Sequence, residues 1–310
     1  MYQVIRAGRQ DGEVLRQDRH LLPGGGELEY LTFPSLEQTG VVRHLITTRT
    51  GGVSQGDCAT MNLSFSRGDE PDRVLENYRR VGEVLGCGLT DMVTSHQTHT
   101  THIRRITEAD RGKGVVRERD YQDVDGLVTD VPGLALVTYY ADCVPLLFVD
   151  PVCRAVGLAH SGWKGTAGRM AIHMVRAMEE QFGSRPEDLM GAVGPSICQE
   201  CYEVGEDVAR QFAGWDTEYD MERRLVEENG RYHCRGQEQL HHVVETGRRP
   251  GKYQLDLWLA NLLLLCHAGI PLGQIAVTDI CTCHNSRYLF SHRASGGKRG
   301  NLAAFLMLQG

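Results

Sequence analysis

Long hydrophobic runs are missing from this sequence, and their absence excludes a protein that crosses a membrane as an α-helix. No run reaches the roughly 18 apolar residues that such a helix needs. The first twelve residues, MYQVIRAGRQDG, also lack the apolar centre of a signal peptide. We therefore predict a cytoplasmic protein that does not bind a membrane.

An excess of basic residues is missing as well. The chain has 33 lysines and arginines against 40 aspartates and glutamates, for a formal net charge of -7. A general nucleic-acid or anionic-membrane binder needs a basic face for affinity, so this balance argues against both classes. We predict small-molecule partners, no nucleic acid, and a monomer or small homo-oligomer.

Cysteines are too few for a disulfide scaffold, with 10 in 310 residues. In a reducing cytosol the default state is a free thiol that is buried or bound to metal. Two short-spaced groups stand out, Cys198 with Cys201 and Cys281 with Cys283 and His284. Neither group has a matching second half at zinc-finger spacing along the chain, which favours plain cysteines over a structural zinc.

A dense stretch from 134 to 167 holds the strongest strand signals in the sequence. Three short runs in it are rich in β-branched, aromatic and leucine residues and predict buried strands: 134–140, 145–149 and 155–159. Cys143 and His160 come where the first and third runs end. Side chains at strand ends lie on a rigid frame and still reach solvent, so this pair is a candidate site.

The rest of the chain predicts one α+β domain over residues 1–310, with interleaved strands and helices. Further strands are predicted at 41–48, 123–130 after a turn, 275–280 and 303–308. Helices are predicted at 71–85, after the glycine-rich turn 162–168, at 206–212 and at 256–266. Residues 1–40 read as an irregular or hairpin-like entry, and 215–252 as a surface insertion.

Three histidines lie in one short polar run, His96, His99 and His102, which indicates a site more strongly than a lone histidine would. With Cys143 and His160, His99 supplies two imidazoles and one thiolate. That donor set suits zinc with a fourth position open for water or substrate. A metal-free Cys–His hydrolase, or residues with no common role, are equally compatible with the spacing.

Nine motifs in order together resemble the laccase-domain family, once called multicopper polyphenol oxidase and now described as purine nucleoside phosphorylase. Bacterial members are also named peptidoglycan editing factor. The motifs are RTGGVS, MNLS, QTH, VDGLVT, ADCVP, AHSGWKGT, GPSI with CYEVG, DLWLAN, and CTC with FSHRASGG. The resemblance runs from about Arg49 to the C-terminus.

The resemblance implies a four-layer α/β/β/α sandwich with mixed β-sheets, and a zinc held by His99, Cys143 and His160. It implies phosphorolysis of adenosine, inosine, guanosine and methylthioadenosine, together with deamination of adenosine. Copper is the alternative metal, and phenol oxidation is the alternative chemistry. A multicopper oxidase, however, needs many more histidines in paired HxH patterns than this chain has.

Phosphorolysis also needs cationic or N–H donors for phosphate, and Arg49 and Lys164 are the candidates. Asn62 and Gln97 join them as substrate-binding candidates, and Asp142 is the candidate acid that protonates the departing base. The sequence departs from the family pattern where Lys164 replaces an arginine, which loses the bidentate fork of a guanidinium. Asn301 replaces another arginine, with Arg299 two residues away.

Overall fold

The computed structural model describes residues 4–5, 14–215 and 242–310, and within these ranges it contains fifteen strands in three sheets. In chain order the strands are β1 Arg16–Leu21, β2 Glu27–Thr32, β3 Val42–Thr47, β4 Met92–Thr94, β5 Ile103–Arg105, β6 Gly126–Thr129, β7 Ala135–Tyr140, β8 Val144–Asp150, β9 Ala155–Ser161, β10 Met190–Val193, β11 Glu203–Gly205, β12 Val244–Thr246, β13 Lys252–Leu255, β14 Ile275–Val277 and β15 Leu302–Leu308.

The α-helices of the same ranges are α1 Pro34–Glu37, α2 Pro71–Leu85, α3 Trp163–Ala167, α4 Met170–Phe182, α5 Glu206–Ala209, α6 Leu257–His267 and α7 His292–Ser295. Short 3₁₀ helices are Gly56–Cys58, Leu89–Asp91, Glu108–Asp110, Pro186–Asp188, Gln199–Cys201, Arg210–Phe212 and Leu272–Gln274. None of these helices has both the length and the apolar character that crossing a bilayer requires.

Two six-stranded mixed sheets form the centre of the described part of the chain. One has the order β1-β2-β3-β15-β7-β4, and the other has the order β14-β10-β8-β9-β6-β5. Pairing is parallel for β4 with β7, β5 with β6 and β10 with β14, and antiparallel elsewhere in the two sheets. The small third sheet, β11-β13-β12, is antiparallel.

The two large sheets pack face to face because their strands alternate between two apolar faces. In β15, Leu302, Ala304 and Leu306 join the core between the sheets, while Phe305 and Met307 face the other way. Helix α2 covers that outer face, and α4 and α6 cover the outer face of the second sheet. The four-layer α/β/β/α sandwich is therefore confirmed.

Most predicted elements are confirmed, with small differences at their ends. Helix α2 has the predicted bounds because Pro71 begins it and Gly86 ends it in the left-handed conformation at φ 71°. Residues 92–105 contain two short strands, β4 and β5. β4 and β5 belong to different sheets, so the histidine run lies on the loop that crosses between them.

The two predicted irregular segments are only partly described. Within 1–40, residues 1–3 and 6–13 lie outside the described residues, and β1 and β2 pair as an antiparallel hairpin. Within 215–252, residues 216–241 lie outside them. The two described ends are packed into the domain, since Trp215 and Val243 are buried in the core under α6. The insertion itself stays a prediction.

Candidate active site

The β8–β9 hairpin holds two of the predicted ligands at one end. Cys143 directly precedes β8, and His160 is the penultimate residue of β9. The antiparallel register pairs Pro145 with His160, which brings the two side chains to the same end of the sheet. His99 reaches them from the crossing loop, where its φ of 66° is unusual for a residue with a side chain.

The ligand atoms of His99, Cys143 and His160 all lie within 4.8 Å of one another. The two imidazole rings meet edge to face with centroids 4.9 Å apart. Gly162 leaves room for this contact, because a Cβ there would lie 2.9 Å from Cys143 Sγ and 3.2 Å from His99 Cδ2. Two imidazoles and a thiol at this separation fit one transition-metal ion with a further position open.

Asp125 contacts two of the three candidate ligands, His99 and His160, although the sequence interpretation assigned it no role. Its fully buried carboxylate lies 2.7 Å from His160 Nδ1, which leaves the other ring nitrogen to face a metal. The same carboxylate accepts backbone N–H groups from Thr98, His99 and Thr100 at 2.9 to 3.1 Å. Its only sequence signal was its place in the motif VDGLVT.

The charges of Cys143 and His160 stabilise each other in the protein alone. Burial by itself would raise the pKa of the Cys143 thiol, but the neighbouring His160 charge and hydrogen bonds from both histidines lower it to about 6. Burial would likewise lower the pKa of His160, but the Cys143 thiolate and the Asp125 carboxylate raise it to about 9. The pair therefore favours a thiolate, the form that binds metal or acts as a nucleophile.

A cavity of about 370 Å³ opens beside the three ligands. Its lining includes the basic residues Arg67, Arg119 and Arg299 and the aromatic residues Phe65 and Tyr139. Its volume falls within the roughly 300–1,000 Å³ typical of small-molecule sites. Cationic groups, aromatic rings and a metal donor set therefore share one cavity.

Arg299 is the most constrained of these cations. Burial and the nearby Arg67 charge lower its pKa to about 10. One of its nitrogens donates to Asn301 Oδ1 and to the Gly300 carbonyl, while its Nε is buried without a hydrogen-bond partner among the described residues. The positive charges of Arg67 and Arg299, together with the Arg299 Nε–H that has no partner among the described residues, form a site suited to an anion. Arg299, two residues before the position where Asn301 replaces the arginine of the family pattern, therefore lines the cavity.

The two predicted phosphate ligands, Arg49 and Lys164, have other contacts, and their binding of phosphate stays a prediction. Arg49 donates to the carbonyls of Ala59 and Ser286 and stacks over Phe290, with the guanidinium carbon 4.6 Å from the ring centroid. Lys164 is exposed, with its ammonium 5.7 Å from the Trp163 ring centroid. Neither Arg49 nor Lys164 is among the described residues that line the cavity.

The two predicted substrate-binding amides differ in their placement. Gln97 lines the cavity, and its amide exchanges hydrogen bonds with the backbone of Tyr139 at 2.6 and 2.7 Å. Asn62 is fully buried, where it accepts from the Asn301 N–H and donates to Asp69. Asn62 thus orders the wall that carries Arg67 and Arg299, and its contact with substrate stays a prediction.

Asp142 forms the turn that presents Cys143, with a φ of 89°. One of its carboxylate oxygens accepts from Thr282 Oγ1 and the other from the Arg293 N–H, both at 2.6 Å. Its backbone carbonyl accepts from the Ile197 N–H at 3.0 Å. These contacts fit a residue that positions Cys143, and its role as a proton donor stays a prediction.

Comparison with protein-family models matches residues 43–309 to the family described as multi-copper polyphenol oxidoreductase laccase. The match covers most of the chain, including all three ligands. The chain belongs to the laccase-domain family. The similarity predicted from the nine motifs is therefore confirmed.

Laccase-domain relatives carry the names of purine enzymes. The chain is 37% identical over 265 residues to "Purine nucleoside phosphorylase YlmD" of Geobacillus stearothermophilus, covering 84% of this chain and 88% of the relative. It is also 37% identical over 268 residues to a purine nucleoside phosphorylase of Deinococcus radiodurans, covering 86% and 89%. "Adenosine deaminase RL5", from an unknown prokaryotic organism, is 31% identical and covers 88% and 96%.

Solved laccase-domain structures share the fold. The crystal structure of YlmD from Geobacillus stearothermophilus aligns with a TM-score of 0.79 at 32% identity, covering 96% of this chain and 100% of that chain. The Bacillus licheniformis hypothetical protein YfiH aligns with a TM-score of 0.78 at 35% identity, covering 90% and 96%. The family and the four-layer fold are thus supported independently by sequence and by structure.

Proposed function

We propose that this protein is a zinc-dependent purine nucleoside phosphorylase that also deaminates adenosine. The observation that carries the proposal is the convergence of His99, Cys143 and His160 with two neighbouring guanidinium groups, Arg67 and Arg299, in one cavity. The names of the relatives give the substrate class, which is purine nucleosides. The proposed substrates are adenosine, inosine, guanosine and methylthioadenosine.

In phosphorolysis, an oxygen of phosphate bonds to the sugar carbon C1′ while the bond from C1′ to the purine nitrogen breaks. We assign phosphate binding to Arg299 and Arg67, because both residues line the cavity and the Arg299 Nε–H has no hydrogen-bond partner among the described residues. Guanidinium groups hold phosphate with charge-assisted hydrogen bonds. They also orient its oxygen for attack at no cost of reorganisation during the reaction.

The purine base needs an apolar surface. Phe65 lines the cavity and stacks on Tyr78 with ring centroids 6.0 Å apart, yet 38% of its surface is exposed. A held aromatic ring with a free face is suited to stack on a purine. Tyr139 completes this wall, since its hydroxyl is fixed 2.6 Å from the Tyr78 hydroxyl. We assign base binding to these rings.

The three ligands favour zinc over a set of copper ions. The described residues contain two groups of metal-binding side chains. One is His99, Cys143 and His160, and the other is Cys198, Cys201, Cys281 and His284. Neither group contains the histidine pairs at HxH spacing that a multicopper oxidase requires. A zinc ion held by His99, Cys143 and His160 supplies Lewis acidity that activates water for deamination. Asp125 fixes His160 for this purpose. Strong visible absorption from bound copper would reverse the assignment.

The test is an incubation of metal-quantified protein with adenosine and phosphate, followed by chromatography. We expect adenine, ribose 1-phosphate and inosine. The variant Cys143→Ser should lose the zinc held by His99, Cys143 and His160, together with both activities. Cys153→Ser is the matched control, because Cys153 is exposed at the opposite end of the β8–β9 hairpin. Clean, zinc-loaded protein that forms none of the three products would refute the proposal.

A metal-free thiol hydrolase is the second candidate, favoured by one observation. Asp125, His160 and Cys143 line up as orienting carboxylate, base and thiolate, the arrangement that activates a cysteine nucleophile. Such an enzyme would act on peptidoglycan precursors, as the alternative family name indicates. Cys143→Ala separates the two candidates: joint loss of phosphorolysis and of the zinc at the three-ligand site supports the zinc enzyme, whereas an unchanged zinc content with lost activity supports a thiol nucleophile.

A further inference from the structure

Two loops that are far apart in the sequence meet behind the active site. Ser196 and Cys281 form a parallel backbone bridge, and the Thr282 N–H donates to the Ser196 carbonyl at 3.0 Å. The first loop carries Cys198 and Cys201 just after the bridge, and the second carries Cys281 in the bridge and His284 after it. The pairing therefore places Cys198 and Cys201 beside Cys281 and His284.

These four residues form a complete donor set. Their three Sγ atoms and one ring nitrogen all lie within 4.8 Å of one another. His284 Nδ1 is 3.8 Å from Cys198 Sγ, while its other ring nitrogen faces Glu200 Oε2 at 3.8 Å. The spacing is CxxC in one loop and CxxH in the other, as in structural zinc sites. The CxxC and CxxH segments are far apart in the sequence, and the pairing of the two loops brings them together.

The backbone around Cys281 is arranged for a thiolate. Its Sγ accepts the N–H of Cys198 at 3.3 Å and the N–H of His284 at 3.5 Å. Hydrogen bonds of this kind stabilise a negatively charged sulfur. Cys198 and Cys281 are only 2% and 1% exposed, so thiolates there need a compensating cation. A bound divalent metal provides it.

We propose that Cys198, Cys201, Cys281 and His284 bind a second metal ion, a structural zinc. Three sulfurs and one imidazole are the soft tetrahedral set that zinc prefers. All four positions come from protein, in contrast to the three-ligand group at the cavity. Binding replaces the protons of the three thiols, which leave to water.

The second metal would hold the turn that presents Cys143. The Ile197 N–H, one residue before Cys198, donates to the Asp142 carbonyl at 3.0 Å. Thr282 Oγ1, one residue after Cys281, donates to an Asp142 carboxylate oxygen at 2.6 Å. Both loops of the second site therefore donate a hydrogen bond to Asp142, the residue next to Cys143. Fixing these loops to one ion fixes the Asp142 turn.

The test counts zinc in protein purified without a histidine tag or added metal. We expect about two zinc ions per wild-type chain and about one in Cys143→Ala, where only the second site remains. Cys281→Ser and His284→Gln should each hold about one. Cys283→Ser is the matched control, because Cys283 neighbours Cys201 but lies outside the group of four, and it should keep about two.

Cobalt provides a second readout that is independent of activity. Cobalt-loaded Cys143→Ala protein should show the intense visible bands of tetrahedral thiolate coordination, and adding His284→Gln should abolish them. His284 is exposed, so this variant should fold even if Cys281→Ser does not. One zinc in the wild type that disappears in Cys143→Ala would overturn the proposal. A Cys198–Cys281 disulfide in protein alkylated at lysis would do so as well.

Discussion

At the residue scale, Asp125 joins parts of the candidate active site that come from different loops. It accepts from the backbone of the loop that carries His99 and holds the ring of His160 through Nδ1. Burial raises the pKa of this carboxyl, but the hydrogen bond and charge of His160 and the N–H groups of Thr98 and Thr100 lower it overall. It therefore stays ionised, and it holds the His160 ring and the backbone of His99.

Asp125→Asn should weaken zinc binding at the three-ligand site by about 10–100-fold, as outer-shell substitutions at metal sites do. The amide keeps the volume but loses the charge that stabilises the His160 ring. The measurement is zinc competition with a chromogenic chelator, with circular dichroism as the check on folding. An unchanged zinc affinity would show that Asp125 serves only the fold.

Gly162→Ala should also weaken the three-ligand site while the backbone tolerates the change, since φ of Gly162 is -73°. The new methyl group would lie 2.9 Å from Cys143 Sγ, so the sulfur must move. We expect a loss of about tenfold or more in zinc affinity, similar to other disturbances of ligand orientation. Gly273→Ala is the control, because a Cβ there meets nothing within 4 Å. Equal zinc affinity in both variants would contradict the close contact.

At the scale of elements, strand β15 holds the first sheet together. Residues 304–308 pair with β3 on one side, and residues 302–307 pair with β7 on the other. Its seven residues are all buried, and successive side chains enter different cores. A strand buried on both faces reads as a continuous apolar run, which is why the sequence alone predicted it.

Phe305→Ala should destabilise the protein by about 3–5 kcal/mol, the usual cost of removing a buried phenyl group. Phe305 is fully buried and meets Tyr78 edge to face, with ring centroids 6.1 Å apart. The substitution therefore removes a contact between β15 and α2. Chemical denaturation gives the free energy of unfolding. Val152→Ala, at a position that is 67% exposed, should change it by less than about 0.5 kcal/mol. A loss below about 1 kcal/mol for Phe305→Ala would mean that the core collapses into the gap.

At the scale of the whole molecule, the stability of the protein in acid depends on His44, which is buried and uncharged inside the sandwich. His44 on β3 is 5% exposed, and its Nε2 accepts the Phe33 N–H at 2.8 Å. Burial, aided by the nearby Arg16 charge, lowers its pKa from 6.5 to about 4. The folded protein thus keeps His44 uncharged at pH values where the unfolded chain protonates it.

The free energy of unfolding should therefore fall as the pH decreases from about 6.5 to about 4, by up to about 3 kcal/mol from His44 alone. The sign follows because only the unfolded chain binds the proton in this window. Above pH 6.5 the contribution of His44 is constant. His44→Gln keeps an acceptor for Phe33 without titrating, so its stability should depend less steeply on pH in denaturation curves. Parallel curves for the two proteins would contradict the prediction.

The sequence predicted the local elements because their signals are local. Pro71 and Gly86 bound a helix by their own backbone preferences, and alternation marks each strand. Sequence also predicted Cys143 and His160 as a candidate pair, since each comes where a predicted strand ends. The run of three histidines suggested His99 as the third donor, and resemblance to the family supplied the four-layer arrangement, which does not follow from local pattern.

Only the tertiary structure decided which distant residues meet. The described arginines that line the cavity are Arg67, Arg119 and Arg299. Arg67 and Arg299 belong to the wall ordered by Asn62 and Asn301. Phosphate binding by Arg49 and Lys164 stays a prediction. The two cysteine loops, over eighty residues apart, become one donor group through the bridge at Ser196. Local sequence sets the conformation of each segment, whereas contacts between segments depend on how the sheets pack.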